Sequence, residues 1–85
     1  MSDEQILEKV KAAIANVCGM EPSEIPDDAH FVNDLGLDSL SFIEAFVELE
    51  RQFKIGQATE EAEKSIVSVG TAVSYIRGQL SVQTA

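Results

Sequence analysis

An all-α bundle of three main helices plus one short helix is the fold this sequence predicts. Apolar residues recur at helical spacing in separate runs, each opened by a good capping residue, and no run alternates as a strand does. Between the first two runs, residues 19–38 are dense in Pro, Gly, Asn and Asp, which predicts a long loop there. With 85 residues, a single domain over 1–85 is expected, too small to enclose a sizeable substrate cavity. Hydrophobic residues make up 45% of the chain, enough to fold it despite a formal charge of -9.

Helix one is predicted over about 3–18. Ser2 suits the N-cap, Gln5 completes a capping box, and Asp3 and Glu4 stand near the positive helix end. Ile6, Val10, Ala13, Ile14 and Val17 share a face, and Gly19 supplies the stop. Cys18, the only cysteine, falls on that inner face and reads as a small buried thiol. One cysteine permits neither an intrachain disulfide nor a thiolate metal site.

The loop over 19–38 carries Pro22, Pro26, Asp27-Asp28, Asn33-Asp34 and Gly36. It is longer than a usual connection, so it should be packed down, with Ile25, Phe31, Val32, Leu35 and Leu37 as the available anchors. Helix two follows over about 39–53, with Asp38 as its N-cap. Phe42, Ala45, Phe46, Leu49 and Phe53 fall in one arc and form its core stripe. Leu40, Glu44, Val47, Glu48 and Arg51 project from the other side, so two apolar side chains stand among charges. Incidental exposure and a docking patch both account for them.

Ile55-Gly56-Gln57-Ala58 reads as a loop, and a short helix over about 59–64 follows, with Thr59 as cap and Glu60 and Glu61 near its positive end. Ser68 caps a last helix over about 69–80, where Val69, Ala72, Val73, Ile76 and Leu80 share a face. A frayed tail is expected over 81–85.

Charge is distributed unevenly. No lysine or arginine lies from Ala12 to Glu50, and that span holds nine carboxylates. Such a field favours solubility, repels nucleic acid and anionic lipid, and steers basic protein surfaces inward. The N-terminus has neither the basic region nor the apolar run of a signal peptide, and no stretch approaches membrane-spanning length. A reducing, cytoplasmic setting with no membrane or nucleic-acid partner is expected.

The segment Asp34-Leu35-Gly36-Leu37-Asp38-Ser39-Leu40 places a serine hydroxyl at the mouth of helix two, within the acidic stretch. Serine needs a base within hydrogen-bonding reach to act as a nucleophile. His30, the only histidine, reads as an exposed loop residue, and Gly36-Leu37-Asp38-Ser39-Leu40 lacks the second glycine of a nucleophile elbow. A small helical chain also has little material for an oxyanion hole, so catalysis by this chain is not expected. Asp27, Asp28, Asp34 and Asp38 are oxygen donors, but their spacing does not reproduce an EF-hand loop, and no dedicated metal site is expected. Ser39 thus suits modification by another enzyme.

Asp34 to Leu40 resembles the phosphopantetheine attachment motif of acyl carrier proteins. The run Phe42 to Glu50, the later Glu60-Glu61-Ala62-Glu63-Lys64 and the Val69 to Ile76 pattern resemble that family in order and spacing, over nearly the whole chain. The resemblance implies that a phosphopantetheinyl transferase attaches a phosphopantetheine arm to Ser39 from coenzyme A, with magnesium entering only through the transferase. The arm's thiol would then hold acyl groups as thioesters. By the same resemblance Asp38 helps engage the transferase and its metal, alongside its capping role. Leu40, Glu44, Val47 and Glu48 match positions that dock basic patches on partner enzymes such as an acyltransferase or a ketosynthase, and the carrier is expected to be a monomer. Phe42 and Phe46 either fill the core or border a channel for the acyl chain.

The sequence departs from fatty-acid carriers in places. Ser41 stands where an acid is common, Arg51 adds a cation to an acidic face, and Ile55-Gly56-Gln57-Ala58 lacks the usual Ile-Pro-acid stretch. Leu37 before Asp38-Ser39 is common among polyketide carriers, so a dedicated polyketide or related specialised pathway is the expectation. Two other classes compete: a peptidyl or aminoacyl carrier, whose motif more often reads Gly-Gly-His-Ser or Gly-Gly-Asp-Ser, and an unmodified helical interaction module using Leu40 and Val47.

Overall fold

Local capping and apolar periodicity set the four α-helices of the computed structural model, which describes residues 2–84. They are α1 (Asp3–Cys18), α2 (Ser39–Phe53), α3 (Glu60–Ser65) and α4 (Val69–Thr84), with a 3-10 turn at Pro22–Glu24 inside the long loop. Among the described residues there is no strand, only an isolated antiparallel bridge between His30 and Ser68. The all-α class and the count of three main helices plus a short one are borne out.

Each helix start has a local cause. Ser2 Oγ accepts from the Gln5 N–H at 3.2 Å while Gln5 Oε1 accepts from the Ser2 N–H at 3.0 Å, a complete capping box. Gly19 ends α1 in the left-handed region, at φ 72°. Thr59 Oγ1 accepts from the Ala62 N–H at 3.1 Å, so Thr59 caps α3, which begins at Glu60 and ends at Ser65 rather than spanning 59–64. Ser68 Oγ accepts from the Thr71 N–H at 3.2 Å, and Thr71 Oγ1 accepts in return from the Ser68 N–H at 2.9 Å. α4 then continues to Thr84, past the predicted end near residue 80. The stretch from 81 expected to be frayed is helical to Thr84, and residues 79–84 contain no Gly or Pro to interrupt backbone hydrogen bonding. Ala85 lies outside the described residues.

α1 packs against both α2 and α4. Ile6, Val10 and Ile14 from α1, Leu49 from α2, and Val69, Ala72 and Ile76 from α4 are almost fully buried and make the centre of the core. Cys18 packs against this core only half-buried, not fully as expected, because it ends the helix; partial desolvation raises its thiol pKa. None of the α3 residues is buried, and the helix is held by the buried Ala58 and Ile66 that flank it. Glu50 Oε2 supports this approach, accepting from the Ala58 N–H at 2.7 Å.

Ion pairs add surface ties: Lys11 with Asp27, and Arg77 with Asp3 at 2.9 Å, joining α4 to the start of α1. Exposed pairs of this kind contribute about 0–1 kcal/mol each. Burial of the apolar faces therefore decides the fold.

Candidate functional site

The residues before α2 fold into a tight structure that presents Ser39. The His30 N–H donates to Asp34 Oδ2 at 2.8 Å, and the His30 carbonyl accepts from the N–H groups of Asp34 and Leu35 at 2.9 and 3.2 Å. Gly36 reverses the chain at φ 67°, a left-handed conformation that glycine adopts without strain. Leu37 is buried, its N–H donating to the Phe31 carbonyl at 2.9 Å. Asp38 then caps α2, its Oδ1 accepting from the Ser41 N–H at 2.8 Å. Ser39 is the first helical residue and exposed, with no hydrogen-bond partner for its hydroxyl among the described residues.

A second segment completes the surroundings. The bridge at His30 and Ser68 is closed by the Phe31 N–H donating to the Val67 carbonyl and the Val69 N–H donating to the Ala29 carbonyl, both at 2.9 Å. This brings the α3–α4 junction beside α2 and leaves a cleft of about 150 Å³ next to Ser39. Phe31, Val32, Phe42, Ile66 and Val67 supply its apolar lining, with His30, Asp38, Ser39, Glu63 and Lys64 also on its wall.

Phe42 and Phe46, interchangeable as core or channel residues in the sequence, are separated here. Phe46 is buried in the core, whereas Phe42 is half-buried and lines the cleft. Their rings stack at 5.8 Å, Phe42 meets Phe31 at 5.3 Å, and Phe46 meets Tyr75 of α4 at 5.7 Å. An aromatic line thus ties the cleft to the bundle interior.

Two expectations about the loop need correction. Val32 is not an anchor: it is 61% exposed. Residues 30–37 close into turns with one inward side, which Phe31, Leu35 and Leu37 occupy, leaving Val32 on the outside. His30 is half-buried rather than exposed, its Nδ1 accepting from the N–H groups of Val32 and Asn33 at 3.2 and 3.1 Å.

On the outer side of α2, Leu40 and Val47 are 66% and 47% exposed, and Ile43 between them is 45% exposed. Sequence reasoning missed Ile43, although the spacing 40, 43, 47 forms a second apolar stripe beside the core stripe. Glu44 is exposed and without a partner among the described residues. Glu48 instead meets Arg51 at 3.4 Å and accepts from Gln52 Nε2 at 3.3 Å. The cation at 51 therefore mutes one of the two acids on this face.

The Asp38 carboxyl is held below the ordinary aspartate pKa, first by the backbone N–H of Ser41 and then by the Ser41 hydroxyl. A depressed folded-state value stabilises the fold above the unfolded pKa, and this contribution is lost as pH falls through the folded value. The α2 cap should accordingly weaken below about pH 4. Asp38→Asn caps without titrating, so stability measured by denaturant from neutral to acid pH should lose this part of its slope in the variant. An unchanged slope would remove Asp38 as its source.

Among the described residues no group of three or more His, Cys, Asp or Glu is placed to hold a metal ion, and no helix is long and apolar enough to cross a membrane.

Against known proteins, the family model described as the phosphopantetheine attachment site matches residues 8–76. The acyl carrier protein of Clostridium acetobutylicum is 44% identical over 72 residues, covering 85% of this chain and 92% of the relative. Among solved structures, the acyl carrier protein from Enterococcus faecalis superimposes with a TM-score of 0.74 at 34% identity, covering 93% of this chain and 99% of that one.

Proposed function

The chain belongs to the acyl carrier protein family, and from that membership we propose that Ser39 is the residue through which its phosphopantetheine is attached. The protein is a non-enzymatic carrier with a phosphopantetheine attachment site, and it works with a phosphopantetheinyl transferase and acyl-processing enzymes. One observation carries the assignment to Ser39: its hydroxyl is exposed at the N-terminus of a long helix, inside the matched segment, and bonded to no base among the described residues.

These surroundings fit the group. The positive end of α2 favours a phosphodiester, and the apolar cleft beside Ser39 can take uncharged parts of the arm or its cargo. An apolar cavity of this size accommodates a molecule such as benzene, so only a few carbons would be sheltered. When attached, the arm supplies a terminal thiol that carries the acyl group as a thioester. This chain's residues orient and present: Asp38 fixes the start of α2 and offers a carboxylate beside the modified hydroxyl for the transferase and its magnesium, and Phe42 walls the cleft. Intact mass after incubation with coenzyme A and a broad-specificity transferase, followed by peptide mapping, tests the assignment. Addition at Ser39 supports it; no addition under conditions that modify a control carrier overturns it.

Leu40, Ile43, Glu44, Val47 and Glu48 form the face we assign to docking of basic, apolar-rimmed patches on an acyltransferase or ketosynthase. Long-range charge sets encounter rate, while a small contact permits release between steps. Because Glu44 is unpaired and Glu48 is shared with Arg51, Glu44→Lys should slow transfer more than Glu48→Lys, by about tenfold at low salt. Stability should stay within about 0.5 kcal/mol of the parent, and the rate gap should close as salt rises. Equal rates for parent and both variants at every salt concentration would refute the docking face.

The pathway we favour is a dedicated polyketide or related specialised one. Leu37 in the motif, Ser41 in place of an acid, the muted Glu48 and the Ile55 to Ala58 loop support it.

A further inference from the structure

We propose that His30 is a binding residue, whose Nε2–H donates a hydrogen bond to a carbonyl oxygen lodged in the cleft beside Ser39. Its Nδ1 accepts two backbone N–H groups, from Val32 and Asn33, so the ring's proton sits on Nε2. These bonds and the bridge to Ser68 fix the ring and backbone in place. Among the described residues Nε2 has no protein partner and no buried side-chain nitrogen or oxygen lacks one, so Nε2 is accessible, on a residue that lines the cleft.

The contrast with the rest of the wall gives this donor its meaning. Phe31, Phe42, Ile66 and Val67 offer an inserted oxygen nothing to bond, and placing a carbonyl among them without a partner is costly. With the Ser39 hydroxyl joined to the arm, Lys64 is the other side-chain donor on the wall, but it is exposed on a flexible stem. The half-buried, pre-oriented imidazole has little entropy left to lose. The cleft is thus matched to a chain bearing an oxygen acceptor rather than to plain hydrocarbon. The shared chemistry, a carbonyl oxygen, has two sources: an amide of the arm or an oxo group of the cargo.

The inference rests on Ser39 carrying the arm, so each sample is first checked by mass spectrometry. His30 is the sole histidine, which makes its imidazole nitrogen signals unambiguous. They are recorded for the unmodified protein, the protein with the free-thiol arm, and the protein loaded with a saturated or a 3-oxoacyl chain of equal length. The expected result is a displaced Nε2 signal with N–H exchange slowed about tenfold. Appearance with the free-thiol arm assigns the oxygen to the arm, and appearance only with the 3-oxoacyl chain assigns it to the cargo; either supports the donor. His30→Asn keeps a side-chain oxygen to accept the nearby backbone N–H groups but removes the donor. Where the cargo supplies the oxygen, the Phe42 and Val67 shifts of the two loaded forms should converge in that variant. Unchanged His30 signals in fully loaded protein would overturn the proposal while leaving Ser39 intact as the attachment site. Failure of attachment at Ser39 would overturn both.

Discussion

Ser39→Ala is expected to abolish phosphopantetheine addition completely while leaving the fold untouched. The hydroxyl is the atom to which the arm would be joined, so no neighbouring residue can substitute; Ser41, two positions on, is half-buried and engaged at the Asp38 cap. The stability cost should be small because the Ser39 side chain is exposed and makes no hydrogen bond, and the α2 cap belongs to Asp38. Denaturant unfolding should place the variant within about 0.5 kcal/mol of the parent. Modification persisting at another residue would displace Ser39 from the account.

Phe46→Ala should have the opposite profile, a large loss of stability with the attachment chemistry intact in whatever fraction stays folded. Phe46 is 3% exposed and joins the Phe42 and Tyr75 rings, so its removal leaves a cavity and ends both ring contacts. Truncations of this kind cost about 3–5 kcal/mol. A chain this short sits near the low end of the usual stability range, about 5 kcal/mol, so a substantial unfolded fraction at 37 °C is expected. Chemical denaturation of both proteins checks this. A loss under about 1 kcal/mol would mean that Phe46 is not the core residue described.

These two positions show which physical signals the sequence carried. Capping is local: Ser2 with Gln5, Asp38 with Ser41 and Thr59 with Ala62 each act across three residues, so the helix starts were legible. So was the stripe holding Ala45, Phe46, Leu49 and Phe53, because periodicity is enough to assign an inner face. The cleft was not legible. It depends on the pairing of His30 with Ser68, which no local pattern encodes, and that pairing is what brings Lys64 and Val67 to Ser39. His30 was misread for a different reason: its partners are backbone N–H groups two and three residues on, which no pattern of side chains reveals. Val32 was misplaced because apolarity alone does not say which side of a closed turn a residue takes. Ile43 lay on a face already credited with apolar exposure, and only its place between Leu40 and Val47 distinguishes a stripe from scattered residues.

The central claim is that this chain contributes one hydroxyl and a recognition surface, while the acyl bond is made and broken elsewhere. Cys18 is the only thiol the chain itself possesses, and it is half-buried with a raised pKa, which makes it a poor acceptor. Peptide mapping of the carrier after loading by an acyltransferase is therefore the most direct test. The account predicts that the acyl mass is found only on the peptide containing Ser39, together with the arm, and is absent from Ser39→Ala. Acyl mass on the Cys18 peptide, or retained by Ser39→Ala, would contradict it.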